Sequence, residues 1–229
     1  VVLFGIHPAT AVGTDLLYAA ITKSAGTVVH GANKTINWRI VRLLAMGSVP
    51  AALITLYLMS GVDRKSISAV SFITFSLGWM LFLTALLLIF RNQIVEKVTA
   101  WRAHHKPVNE QTVAAMTFIL GIVLGALVTL TSVGAGALGV TVLLMLYPRL
   151  QIRDVVGSDI VHAVPLTLVG GIGYWYIGEI DWVLLVSLLI GSIPGIIIGS
   201  HLAPKMPDRI IRPILAATLA LVALKLVTA

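Results

Sequence analysis

The chain contains no cysteine, which excludes disulfides, thiolate metal sites and a cysteine nucleophile. Charge is nearly as scarce. Asp, Glu, Lys and Arg make up 11% of the 229 residues, where a soluble domain carries about one-quarter. There is no GxSxG nucleophile elbow, no HExxH zinc helix and no GxxxxGK phosphate loop, so hydrolase signatures are missing and transport powered by ATP hydrolysis on this chain is excluded. No cofactor and no metal is expected.

What is abundant is apolar. Hydrophobic residues make up 58% of the chain and the mean hydropathy is +1.00. A helix crosses a bilayer core with roughly 20 apolar residues, and at least six stretches approach or exceed that length. The expected fold class is all-α, a polytopic transmembrane helical bundle with the lipid bilayer as its surroundings. The net charge of +7 does not point to nucleic acid, because Lys and Arg sit in short loops between apolar spans, the pattern that sets membrane orientation. The chain opens within Val1-Val2-Leu3-Phe4 without an initiator Met or a basic flank, which reads as a fragment rather than a signal peptide.

One stretch repeats at an offset of 144 residues. Val12-Gly13-Thr14-Asp15 recurs as Val156-Gly157-Ser158-Asp159, Asn37-Trp38 as Asp181-Trp182, and Gly47-Ser48-Val49-Pro50 as Gly191-Ser192-Ile193-Pro194. Residues 12–50 against 156–194 give 11 identities in 39 positions, with Trp, Pro and three Gly among them. Internal repeats in polytopic proteins often build a transport pathway at the interface of the copies. Residues 118–146, which precede Val156, predict a counterpart upstream of residue 1.

The apolar spans run over about 12–31, 38–60, 66–90, 112–146, 155–177, 182–203 and 209–229. Residues 112–146 form too long a span: one helix would measure about 52 Å at 1.5 Å per residue, against a hydrocarbon core of about 30 Å. Its middle, Thr131-Ser132-Val133-Gly134-Ala135-Gly136-Ala137-Leu138-Gly139, carries three Gly in six residues, which lowers helix propensity and permits irregular backbone. Lys34, Arg39 and Arg42, with Arg91, Lys97, Arg102 and Lys106, place two loops on the cytoplasmic side against only Arg64 and Lys65 opposite; Arg149, Arg153, Lys205, Arg209 and Arg212 do the same in the second half, against Glu179 and Asp181. Both ends of 112–146 then face the cytoplasm. The segment is expected to be a re-entrant hairpin of two limbs of about 17 residues, and the repeats to be inverted. Residues 1–90 form the first repeat, 91–111 a cytoplasmic linker and 112–229 the second repeat. His104 and His105 read as solvated linker, since two adjacent histidines without carboxylate partners are a weak metal signal.

Ionisable groups inside apolar spans cost roughly 2.5 to 3.5 kcal/mol on insertion scales and are functional candidates by default. Asp15 and Asp159 occupy equivalent positions, each after Gly and a hydroxyl residue; they read either as helix-start caps with Thr14 and Ser158 or as ion-coupling groups. Lys23, whose repeat partner is Thr167, either snorkels, pairs with Asp15, or holds an anion. His162 binds substrate, relays a proton or simply packs. Thr131, Ser132, Gly134 and Gly136 form a turn able to present N–H groups to an oxyanion, or one that allows close helix packing. Pro50 and Pro194 are matched kinks, architectural or hinge-forming. Trp38 and Trp182, with Tyr174, Trp175 and Tyr176, read as an aromatic belt.

At Gly5-Ile6-His7-Pro8-Ala9-Thr10-Ala11-Val12-Gly13-Thr14-Asp15, at Thr131-Ser132-Val133-Gly134-Ala135-Gly136 and at Val156-Gly157-Ser158-Asp159, the chain resembles the TauE/SafE sulfite exporter family over essentially its whole length. The resemblance implies two related halves, each opened by a glycine-rich segment, the first of which is expected before residue 1. It implies a transporter in the prokaryotic inner membrane, usually described as an exporter, for sulfur-containing anions such as sulfite, sulfoacetate or other organosulfonates. The expected mechanism is secondary transport by rocking of one half against the other. Thr14, Lys23, Thr131, Ser132, Gly134, Gly136, Ser158 and His162 are the substrate-binding candidates, Asp15 and Asp159 the ion-coupling ones. A non-transporting scaffold or assembly protein and a membrane-embedded enzyme are the alternatives. A homodimer stays open.

Overall fold

The computed structural model describes residues 5–32, 36–62, 66–103, 109–202 and 208–227; the side chains of 193–202 and 208–215 are among those left undescribed. Lys34, Arg64, Lys65, His104, His105, Lys106 and Lys205 lie outside the described residues, as do the side chains of Pro194, Arg209 and Arg212. Among the described residues the regular elements are all helical: α1 (Pro8–Ala32), α2 (Trp38–Ser60), α3 (Ile67–Ala103), α4 (Glu110–Thr131), a π-helical turn (Ala135–Gly139) leading into α5 (Val140–Leu146), α6 (Ile152–Tyr176), α7 (Trp182–Leu202) and α8 (Asp208–Val227).

Among the described residues four helices are long and apolar enough to cross a membrane, by length and composition: Trp38–Ser60, Ile67–Val98, Glu110–Thr131 and Ile152–Tyr176. Helix α1, the first span expected from sequence, carries Thr14, Asp15, Thr22, Lys23 and Ser24 among its apolar residues. Helix α3 runs on through Arg91 to Ala103, well into the segment read as a linker. Polarity is distributed inside out. Leu53, Ile54, Tyr57, Leu58, Phe72, Phe75, Trp79 and Ile119 are exposed, whereas Thr14, Ser48, Thr117, Thr129, Ser158, Asp159 and His162 are buried. In water such a surface would aggregate; in lipid it is the solvated one.

Helix pairing follows small residues. Gly47 of α2 meets the Phe118 carbonyl, Gly121 of α4 meets the Leu44 carbonyl, and Gly125 meets Ser48. Without hydrophobic drive between helices in lipid, such backbone approach through a small-xxx-small pair supplies the packing. Position numbers rise together along both helices, so α2 and α4 run parallel. At their shared N-terminal end Arg39 Nη1 lies 3.1 Å from Glu110 Oε2, an exposed pair worth little. Helices α1 and α6 instead run antiparallel: Gly13 packs on Tyr174, and Leu17 on Gly171. Helix α8 packs on α3.

The chain breaks where the excess length of 112–146 predicts. Ser132 closes α4 in the left-handed region (φ 59°), and Gly134 follows at φ 114°, a conformation that costs a side chain strain. The Thr131 hydroxyl then stitches the turn, donating to the Leu127 carbonyl (2.7 Å) and accepting from Val133 N–H (3.2 Å). Beyond it the chain turns back. The Tyr147 and Thr117 hydroxyls are 2.8 Å apart, and Leu143 and Leu144 share a core cluster with Leu120 and Leu124, so α5 retraces α4. The two limbs are unequal, contrary to the expected 17 residues each: α4 has 22 residues and α5 only 7.

The sequence repeat reappears as paired hydrogen bonds. Asn37 N–H donates to the Ser158 hydroxyl at 2.8 Å, and Asp181 N–H donates to the Thr14 hydroxyl at 3.0 Å. Both members of each bond are related to the other bond by the same 144-residue offset. Asn37 Oδ1 accepts from Ile40 N–H (3.3 Å) as Asp181 Oδ1 accepts from Leu184 N–H (2.9 Å), again 144 apart. Each half thus caps a helix start with its own carbonyl-bearing side chain and anchors that start on the other half.

Candidate functional site

Asp15 and Asp159 are not helix caps. Helix α1 begins at Pro8 and α6 at Ile152, so each carboxylate stands about two turns inside its helix, past the donors a cap would satisfy. Because α1 and α6 are antiparallel, the two aspartates approach the bundle interior from opposite ends, with Lys23 on α1 between them. His162 follows Asp159 by about one turn. Of the sequence-predicted residues, Asp15, Lys23, Asp159 and His162 thus lie along one packed pair of helices, α1 and α6.

The broken segment runs across this group. The Ser132 hydroxyl, at one end of the turn, donates to Asp15 Oδ2. Gly139, at the other end, lies so close to Asp159 Oδ1 that a side chain there would overlap it. Residues 132–139 thus span the distance from one carboxylate to the other. Thr131, Gly134 and Gly139 are buried, and Val133 packs with Leu77, Leu81, Leu219 and Ala223 of α3 and α8. Both ends of the turn and Gly134 are thus held within protein, while Gly136 at its middle is exposed; irregular backbone at membrane depth is tolerated where it is buried in protein or lines a cavity.

Satisfaction of polar atoms separates the members. His162 is fully buried and shares a 2.8 Å hydrogen bond between its Nε2 and the Ser48 hydroxyl, while its Nδ1 has no partner. Asp159 is 2% exposed and its Oδ1 has no hydrogen-bond partner. An orphaned buried carboxylate oxygen costs free energy unless something else supplies the proton or charge it needs, so these atoms are where a ligand or proton is to be sought.

Other candidates serve the fold. The Thr14 and Ser158 hydroxyls are engaged in the reciprocal bonds, and Ser158 also donates to the Asp154 carbonyl (2.6 Å). Thr131 is spent within the turn. Gly134 faces Met80, and Gly136 is exposed with nothing near its Cα hydrogens. Pro50 lies inside α2, which stays one helix from Trp38 to Ser60; of Pro194 only the helical backbone is described. Trp38, Trp175, Tyr176 and Trp182 stand exposed at helix ends, as a belt requires, and Trp175 meets Trp182 edge to face at 5.9 Å. Tyr174 does not belong to the belt. It is fully buried and donates to the Thr129 carbonyl at 3.1 Å, since successive helix residues are turned by about 100° and position 174 falls on the face that packs against Gly13 of α1.

Ser48 and Gly139 were missed in the sequence. Ser48 stands in the repeated Gly-Ser-Val-Pro, beside a proline whose own signal is a kink, and Gly139 closes the glycine run. An apolar groove lined by Trp79, Phe82, Ala220, Ala223 and Leu224 opens between α3 and α8, and it offers an anion no polar partner.

Basic residues gather at one end of the bundle. Arg39 and Arg42 flank the start of α2, which lies beside the start of α4, and the return of α5 brings Arg149 and Arg153 to the same end. Glu179 and Asp181 lie at the other end, where the Thr10 hydroxyl donates to Glu179 Oε2 at 2.6 Å.

Comparison with known proteins agrees with this architecture of a multi-pass membrane protein. The chain is similar to three proteins of Bacillus subtilis (strain 168). It is 36% identical to the "Probable membrane transporter protein YjnA" over 226 residues, covering 99% of this chain and 88% of that one. It is 29% identical to the "Probable membrane transporter protein YdhB", covering 98% and 86%, and 23% identical to the "Probable membrane transporter protein YunE", covering 97% and 82%. No solved structure matches. The family model described as sulfite exporter TauE/SafE matches residues 1–226. By that match over nearly its whole length, this all-helical chain with its apolar exterior belongs to the sulfite exporter TauE/SafE family of membrane transporters.

Proposed function

We propose that the protein is a secondary transporter that exports small sulfur-containing anions, of the class of sulfite, sulfoacetate and other organosulfonates, across the prokaryotic inner membrane. The observation that carries this reading is the polar group of α1 and α6: a half-buried Lys23 on the same helix as Asp15, the irregular turn 132–139 in contact with Asp15 and Asp159, and His162 with its unpartnered Nδ1. Lys23 supplies the charge, and Ser132 and His162 supply polar contacts to oxygen. Thr14, Ser158 and Thr131, whose hydroxyls are already used, are left out. The alternation of α1 and α6 and the reciprocal bonds at positions 144 apart support inverted repeats, and the retracing of α4 by α5 supports a re-entrant hairpin. The arginine-bearing end is the cytoplasmic one.

Rocking of one half against the other fits the packing poorly. It would part backbones held as closely as those at Gly47, Gly121 and Gly13, all of which join one half to the other. Helices α3 and α8 border the turn through Met80 on Gly134 and the cluster about Val133, and α3 also sets Ile73 and Val95 against the two larger core clusters. They form the moving pair in our reading, sliding over the turn to open the site to either side. With no native cysteine, Leu81→Cys combined with Val133→Cys gives a single cross-linkable pair. Oxidation is expected to reduce flux on the order of tenfold or more, and reduction to restore it; a locked protein that carries anions at the wild-type rate removes α3–α8 from the moving role.

Purified protein should be screened for thermal stabilisation by sulfite, sulfoacetate, taurine, sulfate and acetate. A ligand at about 100 times its Kd adds about 2.7 kcal/mol, a shift of several degrees. Stabilisation by the sulfur oxyanions, with flux of the same anions in proteoliposomes, supports the transporter. Copurification of a partner protein with no anion effect favours the scaffold, and chemical change of an anion favours an enzyme.

A further inference from the structure

The geometry points to Asp159 as the residue that carries one proton together with each anion, a coupling role that deepens, and rests on, the reading of the cluster as an anion site. With both carboxylates ionised, Lys23 faces two negative charges and an incoming anion would meet a site of net negative charge. One proton removes that excess and leaves the ammonium for the anion. The two aspartates are not equivalent as proton acceptors. Asp15 already accepts from Ser132, whereas Asp159, 2% exposed, has an Oδ1 with no donor. Gly139 packs against that oxygen, so movement of the turn would open or close the route to it.

Among the described side chains, Asp15, Tyr18 and Lys23 come from α1, and Arg153, Asp154 and His162 from the same helix as Asp159. The titratable side chains of α2 (Arg39, Arg42 and Tyr57) and of α4 (Glu110) are exposed, and neither α5 nor the π-helical turn carries any. The step is a protonation of the Asp159 carboxylate, O–H formed at Oδ1, with no other bond made or broken; the proton is released when the anion leaves. A divalent sulfonate carried with one proton moves one net negative charge, so an inside-negative potential favours export by about 2.3 kcal/mol per 100 mV. Proton and anion affinity are reciprocally linked.

The test uses sulfoacetate, whose charge stays constant from mildly acidic to alkaline pH. In wild-type protein, sulfoacetate affinity is expected to weaken about tenfold per pH unit once Asp159 loses its proton, the slope for one proton. In Asp159→Asn the affinity is expected to be tight and flat with pH, and an imposed pH gradient to stop driving flux. Asp15→Asn, which removes one negative charge without removing the proton acceptor, is expected to bind sulfoacetate more tightly at alkaline pH and to keep the carboxylic acid at Asp159. In parallel, at a pH below the onset of the wild-type slope, where the carboxyl keeps its proton even in the free protein, the infrared carbonyl band of a protonated carboxylic acid should be present in wild type and Asp15→Asn and absent in Asp159→Asn, with or without anion. A flat wild-type profile, a slope that survives in Asp159→Asn, or loss of the band in Asp15→Asn overturns the assignment. If no variant binds sulfoacetate at any pH, the substrate reading fails by itself and the infrared band decides the proton site: its absence in wild type overturns that as well.

Discussion

Lys23→Ala is expected to bring anion-dependent flux in proteoliposomes close to background. The side chain supplies the positive charge in the interior group, and truncating one partner of a desolvated charge pair costs about 3 kcal/mol, roughly 100-fold in affinity. The fold should survive, because Ala is the better helix former and α1 keeps Val12, Leu16 and Ala20 in the core. Removing the ammonium also leaves Asp159 and Asp15 without their counter-charge, so added anions should no longer raise the melting temperature. Lys23→Arg, which keeps charge but brings a planar fork, should recover part of the flux. A Lys23→Ala protein that is monodisperse and loses less than about tenfold in anion affinity takes Lys23 out of the site.

The second large effect contrasts two glycines that the repeat makes equivalent, Gly47 and Gly191. A methyl group at Gly47 would overlap the Phe118 carbonyl and crowd Ile122 N, while at the exposed Gly191 it meets nothing within 4 Å among the described residues. Gly47→Ala is therefore expected to destabilise by about 1 to 3 kcal/mol through forced separation of α2 and α4, and to loosen Ser48 from His162 one residue on. Gly191→Ala is expected to be neutral or to stabilise by up to about 1 kcal/mol, the helix-propensity gain. Melting temperatures in one detergent decide the matter, and equal shifts for the two would refute the packing of α2 on α4 described above.

Much of the architecture could be read from the chain. The repeat at offset 144, the broken segment in 112–146 and the paired aspartates in α1 and α6 follow from residue identity and spacing, and each has a structural counterpart. Length alone required the break, since a hydrocarbon core cannot house a helix of that span. The residues near the break were harder. Asp15 and Asp159 looked like caps because a hydroxyl and a carboxylate after glycine are common at helix starts. The helices in fact begin about two turns earlier, at Pro8 and Ile152, where Pro suits a first helical turn. Tyr174 was grouped with its aromatic neighbours, although only its neighbours point outward.

What the sequence determined by itself is the membrane class, the duplication and the family, because hydropathy, periodicity and motif identity are properties of the chain taken one residue at a time or at fixed offsets. What only the tertiary structure decided is which polar groups are already satisfied. Thr14 and Ser158 give their hydroxyls to the opposite half, Asp15 receives a donor from Ser132, and Asp159 receives none for its Oδ1. Partnership of this kind depends on contacts between residues more than a hundred positions apart, and no local pattern encodes them.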